Sequence, residues 1–265
     1  QEEKSGVTFK SKHPGNMHAC GHDAHMAMLL EFAHYLKANR HSLNYNVLLI
    51  FQPAEEQIGG AKKLIEKGLF KDYPVEAIFG IHVYPGIDEG VIASRPGPFM
   101  AQANELTIEI HGKSAHGAMP HLGIDANHIA SKYFQMVYDA MEKHTQDALM
   151  VCTFGKITGG TVKNIISEYA LLEGTMRTFD LQAYQTIENI LVTTKQTLEK
   201  AYGCNIDVTI HDGYPPTNND PQLYADFKAL LKHPLHEFKT PLLVAEDFSF
   251  YQKEVPGVFF YIGVK

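Results

Sequence analysis

Residues 47 to 83 read VLLIFQPAEEQIGGAKKLIEKGLFKDYPVEAIFGIHV, and this stretch decides the fold. Val47-Leu48-Leu49-Ile50-Phe51 is a continuous apolar run of the kind buried on both faces of a parallel sheet. Pro53, two glutamates and the Gly59-Gly60 pair then interrupt the pattern. A short helix ends near Gly68, and a second apolar run spans Ala77 to Val83. Strand, loop, helix, strand predicts a parallel αβ sheet with right-handed crossovers. Glu55, Glu56 and His82 then fall at or just beyond strand C-termini, where open sheets of this kind place their ligands.

Working upstream, Met26, Leu29, Leu30, Ala33 and Leu36 recur at helical spacing, which predicts a helix over Asp23 to Asn39 with Asp23 as its cap. His18-Ala19-Cys20-Gly21-His22 therefore stands at a helix entrance. Working downstream, the texture changes near Ala103, where Leu106, Ile108 and Ile110 alternate with polar residues as in a half-exposed sheet. A helix from Asp125 to Lys143, strands at 148–157 and 168–179, a helix from Leu181 to Tyr202 and a strand at 205–210 complete a β-α-β-β-α-β order, the split ferredoxin-like unit. The expected fold is thus α/β. A parallel-rich αβα domain, residues 1–102 and 212–265, is interrupted by an inserted α+β ferredoxin-like domain, residues 103–211.

The composition narrows the function classes. A net charge of -7 with dispersed Lys and Arg gives no electrostatic basis for gripping nucleic acid. No apolar run approaches the roughly 18 residues that a membrane helix requires, and the first residues lack the basic-then-apolar pattern of a signal peptide. Cys20, Cys152 and Cys204 are far apart and odd in number, which predicts a reducing compartment and a cytoplasmic protein. Because the chain begins at Gln1 and stops at Lys265 directly after an apolar run, it reads as a piece of a longer protein.

The chemistry-bearing residues are a Cys-Gly-His at a helix start, a Glu-Glu after one strand and a His ending the next. Together they offer a thiolate, two imidazoles and a carboxylate, a set that borderline-soft divalent metals prefer. Taken singly, Cys20 reads equally as a buried hydrophobe, His22 as a satisfied polar group and the glutamates as a solvated loop. Adjacent glutamates leading out of an apolar strand are costly to hold together unless a cation or proton relieves their repulsion. His22 beside Cys20 leaves open a cysteine nucleophile, although no third group is evident to orient the base.

Asn16-Met17-His18-Ala19-Cys20-Gly21-His22-Asp23, Phe51-Gln52-Pro53-Ala54-Glu55-Glu56 and Gly80-Ile81-His82-Val83 resemble the M20 family of metallopeptidases, specifically its amidohydrolase branch. The likeness continues through Gly112-Lys113-Ser114-Ala115-His116, Gly159 to Asn164, Glu173-Gly174-Thr175-Met176-Arg177 and Ala245-Glu246-Asp247-Phe248. It implies that the αβα domain is catalytic and the inserted one a lid and dimerisation domain, so that the protein is a homodimer. It also implies two divalent ions, of zinc, manganese, cobalt or nickel, held by Cys20, His22, Glu56 and His82, with Glu55 as general base. His116 would serve the partner subunit's active site by steadying the oxyanion or binding substrate, while Asn164 and Arg177 would bind the substrate α-carboxylate. The implied reaction is hydrolysis of an N-acyl amino acid, foremost deacetylation of N-acetyl-L,L-diaminopimelate for lysine synthesis. A broad aminoacylase, a hippurate hydrolase or an inactive truncated homologue are the alternatives, since relatives add an N-terminal segment and a later ligand histidine.

Overall fold

The computed structural model describes residues 2–56, 59–144 and 149–265. In chain order the elements are α1 (His22–Ala38), α2 (Gly60–Glu66), α3 (Leu69–Asp72), β1 (Ile78–Tyr84), β2 (Ile92–Ser94), β3 (Gly97–Met100), β4 (Gln102–His111) and β5 (Ala115–His116). There follow α4 (Ala126–His144), β6 (Val151–Gly159), β7 (Ile165–Ile166), β8 (Tyr169–Thr178), α5 (Leu181–Tyr202), β9 (Asn205–Tyr214), β10 (Thr217–Asn219), α6 (Pro221–Leu230), β11 (Leu235–Glu237) and β12 (Gly257–Gly263). They form two compact units, one of Gln1–Gly97, Asn218–Thr240 and Tyr251–Lys265, the other of Pro98–Thr217 and Pro241–Phe250.

The second unit is built on the antiparallel sheet β6-β8-β4-β9. Along β4 the period of two sends Leu106, Ile108 and Ile110 into the core and leaves Glu105 and His111 outside. Onto that face α4 lays Ile129, Tyr133, Val137 and Met141, and α5 lays Ile187, Leu191 and Leu198. The Tyr133 hydroxyl donates to the Leu191 carbonyl at 3.0 Å, so the one polar atom of the largest buried ring ties the two helices together. Met136 and Tyr138 pack against the same core. The α5 bounds coincide with the expected ones because both ends carry local signals: Asp180 accepts from the Ala183 amide at the start, and Gly203 takes φ 65° at the end. Ala148, where a strand was expected to begin, lies outside the described residues, and the strand is observed from Val151.

The first unit carries the mixed sheet β1-β12-β2-β11, in which β1 runs parallel to β12 and β2 parallel to β11, while β12 and β2 are antiparallel. Asn219, fully buried, clamps this sheet. Its amide nitrogen donates to the Ser94 hydroxyl and to the Arg95 and Phe259 carbonyls at 2.8–3.0 Å, and its oxygen accepts from the Phe259 amide at 2.7 Å. Asn219→Ala strands the buried Phe259 amide and is expected to lower unfolding free energy by about 3 kcal/mol, read from urea denaturation. An unchanged midpoint would contradict the clamp.

Two expectations fail in this unit. Residues 47–51 form no strand, and Val47, Leu48 and Phe51 stand 46%, 39% and 48% exposed. A strand exists only by pairing; β1 gives one edge to β12 along its whole length, and among the described residues no strand pairs its other edge. Nor does Asp23 cap α1. Gly21 does, at φ 76° and without a side-chain hydrogen bond, and Asp23 lies in the first turn, where its charge still complements the helix dipole. Close approach explains the glycine, since a Cβ there would stand 2.5 Å from Val83 Cγ2.

Candidate metal centre

Three segments of the first unit converge. Cys20 precedes the α1 cap, His22 opens the helix, His82 lies near the end of β1, and Glu55-Glu56 sit in the turn beyond Pro53. Donor atoms of Cys20, His22 and His82 lie within 4.8 Å of one another, as do those of His22, Glu55 and Glu56. His22 is common to both groups, with Nε2 3.9 Å from Glu55 and 3.7 Å from Glu56. The turn holding the glutamates is shaped by two backbone features: Ala54 at φ 66°, a left-handed conformation that a non-glycine residue adopts at a cost, and Gly60, whose missing Cβ would collide with the Pro53 carbonyl.

The ring of His82 is oriented for ligation. Its Nδ1 lies 2.7 Å from the Val83 carbonyl, which only accepts, so Nδ1 carries the proton and Nε2 presents a lone pair, 3.4 Å from Cys20 Sγ. Burial holds its pKa below the usual histidine range, with the charge of His22 adding to the effect. Both keep the ring in the neutral form that metals bind.

His25 is not free to ligate, because its Nε2 accepts the Val83 amide proton at 2.9 Å. Its ring lies 4.3 Å from that of His82 and 5.3 Å from that of His22. The only sequence signal was spacing, since positions 22 and 25 share one helix face. Burial, and then the charges of His82 and His22, push His25 down to about 4. In the metal-free protein the unfolded chain therefore takes up a proton near pH 6.5 that the folded chain refuses until about 4. Stability should be full above that upper value and fall as the pH drops through the interval. Urea midpoints compared at about pH 7.5 and about pH 5 test this, and equal midpoints contradict it.

The other three candidates belong to the second unit. His116, exposed on β5, pairs with Ile165 of β7, and its Nδ1 accepts from the Ala118 amide at 3.1 Å. Exposed Asn164 is adjacent, its carbonyl accepting from the Gly117 amide at 2.8 Å. Arg177, half-buried on β8, donates from Nη1 to the Thr175 hydroxyl and to the Met176 carbonyl at 3.1 Å, both on its own strand.

The profile of peptidase family M20/M25/M40 matches residues 1–265. The chain belongs to this family. Among its relatives, the N-acetyl-L-cysteine deacetylase of Bacillus subtilis strain 168 is 36% identical over 99% of the chain and 63% of its own length. The N-acetyldiaminopimelate deacetylase of Listeria monocytogenes serotype 4a is 35% identical over 99% and 71%. The chain thus spans about two thirds of the relatives it matches, and less than that of the first. Of solved structures, a dinuclear metal-binding M20 peptidase of Bacillus subtilis shares 31% identity and a TM-score of 0.81, with 99% of this chain and 68% of that one covered. A protein of methicillin-resistant Staphylococcus aureus gives 0.89 at the same identity and coverage. The mixed α/β fold with a parallel-rich sheet and a separate antiparallel sheet is that of the M20 proteins.

Proposed function

We propose that this M20 protein hydrolyses the amide bond of an N-acyl amino acid at a centre for two divalent ions held by Cys20, His22, Glu56 and His82. The observation that carries the proposal is the convergence of one thiol, two imidazoles and two carboxylates from three separate segments within 4.8 Å groupings. The donor set fits: His82 offers a neutral Nε2 fixed by its own hydrogen bond, and the crowded carboxylates call for a positive partner. Such ions, when bound, polarise a carbonyl oxygen and make water acidic enough to attack near neutral pH. Zinc, manganese, cobalt and nickel all suit these donors.

Glu55, half-buried beside the ligands, takes a proton from water as its oxygen bonds to the acyl carbon, and returns that proton to the amine nitrogen as the C–N bond breaks. The products are a carboxylate and a free amino acid. Arg177 and Asn164 would grip the α-carboxylate, a planar guanidinium being suited to bidentate contact. His116 would donate to the carbonyl oxygen in a partner subunit, which makes a homodimer through the second unit part of the same proposal. The cytoplasm is proposed as the site of action from three cysteines that form no disulfide. Among the described residues no helix is long and apolar enough to cross a membrane.

For the substrate, the relatives' names support an N-acetyl amino acid, and N-acetyl-L,L-diaminopimelate is the first choice, which would place the protein in lysine synthesis. Release of the free amino acid from this compound should exceed that from N-acetyl-L-cysteine, N-acetylmethionine and hippurate, and should stop on chelation. A preference for another of the four would reassign the substrate, and chelator-insensitive turnover would overturn the metal reading. A second reading draws on the 3.4 Å approach of Cys20 Sγ to His82 Nε2, which fits a thiolate nucleophile with His82, rather than His22, as its base. Inactivation by a thiol alkylator but not by a chelator would favour it.

A further inference from the structure

Two of the three ligand-bearing segments, the entrance of α1 and the end of β1, meet at one peptide unit. Because, among the described residues, β1 lies at the edge of its sheet and its ladder runs to β12 alone, an amide turned to the other side needs a partner from outside the sheet. At Val83 that partner is His25 Nε2, at 2.9 Å. The carbonyl of the same residue accepts from His82 Nδ1, and its side chain touches Gly21, where a Cβ would stand 2.5 Å away. Val83 is thus gripped by its amide, its carbonyl and its side chain, each grip involving a metal-ligand candidate or a residue within one helical turn of one. An amide hydrogen can only be donated, so His25 Nε2 is bare and its proton is on Nδ1.

Resting on the metal-centre reading above, we infer that His25 is a positioning residue. By accepting the Val83 amide proton it latches the α1 entrance onto β1, and so sets Cys20 and His22 at ligating distance from His82. The ring is not itself a ligand, since its lone pair is spent on the backbone. The latch works through hydrogen-bond acceptance at the far end of the side chain. Glutamine, whose oxygen reaches a similar place, should preserve it, and phenylalanine, which keeps bulk without an acceptor, should not.

Cobalt titration with visible and near-ultraviolet absorption reads this directly, because the thiolate-to-cobalt band reports Cys20 at the ion. His25→Phe is expected to weaken cobalt binding roughly 10- to 100-fold and to diminish that band, while His25→Gln stays close to the parent protein. Equal affinity and spectrum for His25→Phe and the parent would overturn the inference while leaving the metal centre intact. A parent protein that binds no cobalt removes the metal centre itself. Should His25→Phe not fold, nitrogen-15 histidine spectra of the metal-free parent decide: the Nδ1–H tautomer with a hydrogen-bonded Nε2 supports the latch, and the Nε2–H tautomer overturns it.

Discussion

Glu55→Gln is expected to cut turnover roughly 100- to 10,000-fold while leaving metal stoichiometry unchanged. The substitution keeps the shape of a side chain held half-buried in the turn after Ala54, at a distance of 3.9 Å from His22 Nε2. It removes only the capacity to accept a proton. Because one carboxylate is asked both to take the proton from water and to deliver it to the departing nitrogen, the loss should approach the upper end of that range. The measurement is kcat beside metal content in the same preparation. Turnover within tenfold of the parent would show that another group moves the proton; lost metal together with lost turnover would recast Glu55 as a ligand.

Cys20→Ala carries the second large effect. The residue is exposed, so little packing is lost, and the change should be confined to the centre. Removal of a supporting hydrogen bond behind a ligand typically costs 10–100-fold in metal affinity, and removal of the thiolate itself should exceed that, with activity falling in step. Metal titration of the variant against the parent checks this. If Cys20 were instead a nucleophile, the variant would bind metal normally and still be dead, so affinity and activity together separate the two readings.

Several features were legible in the residues themselves because their causes are local. The period of two in Leu106, Ile108 and Ile110 marked β4, and the helix expected at about Leu181 to Tyr202 is α5, whose ends are held by Asp180 and Gly203. The Cys-Gly-His at the start of α1 was also readable as a potential donor set, because a helix entrance with those side chains is a sequence-level pattern. Tertiary structure alone decided three things. Whether residues 47–51 become a strand depends on a neighbour to pair with, and hydrophobicity specifies burial but no partner. That Gly21 rather than Asp23 caps α1 follows from the crossing of the helix entrance over Val83. That His25 serves a backbone amide 58 positions along the chain, and so stands behind the centre without joining it, follows from the edge of β1 that no strand pairs among the described residues. Periodicity and capping act over a few residues and are written in the sequence, whereas the partner of an edge amide is chosen by whatever the fold brings beside it.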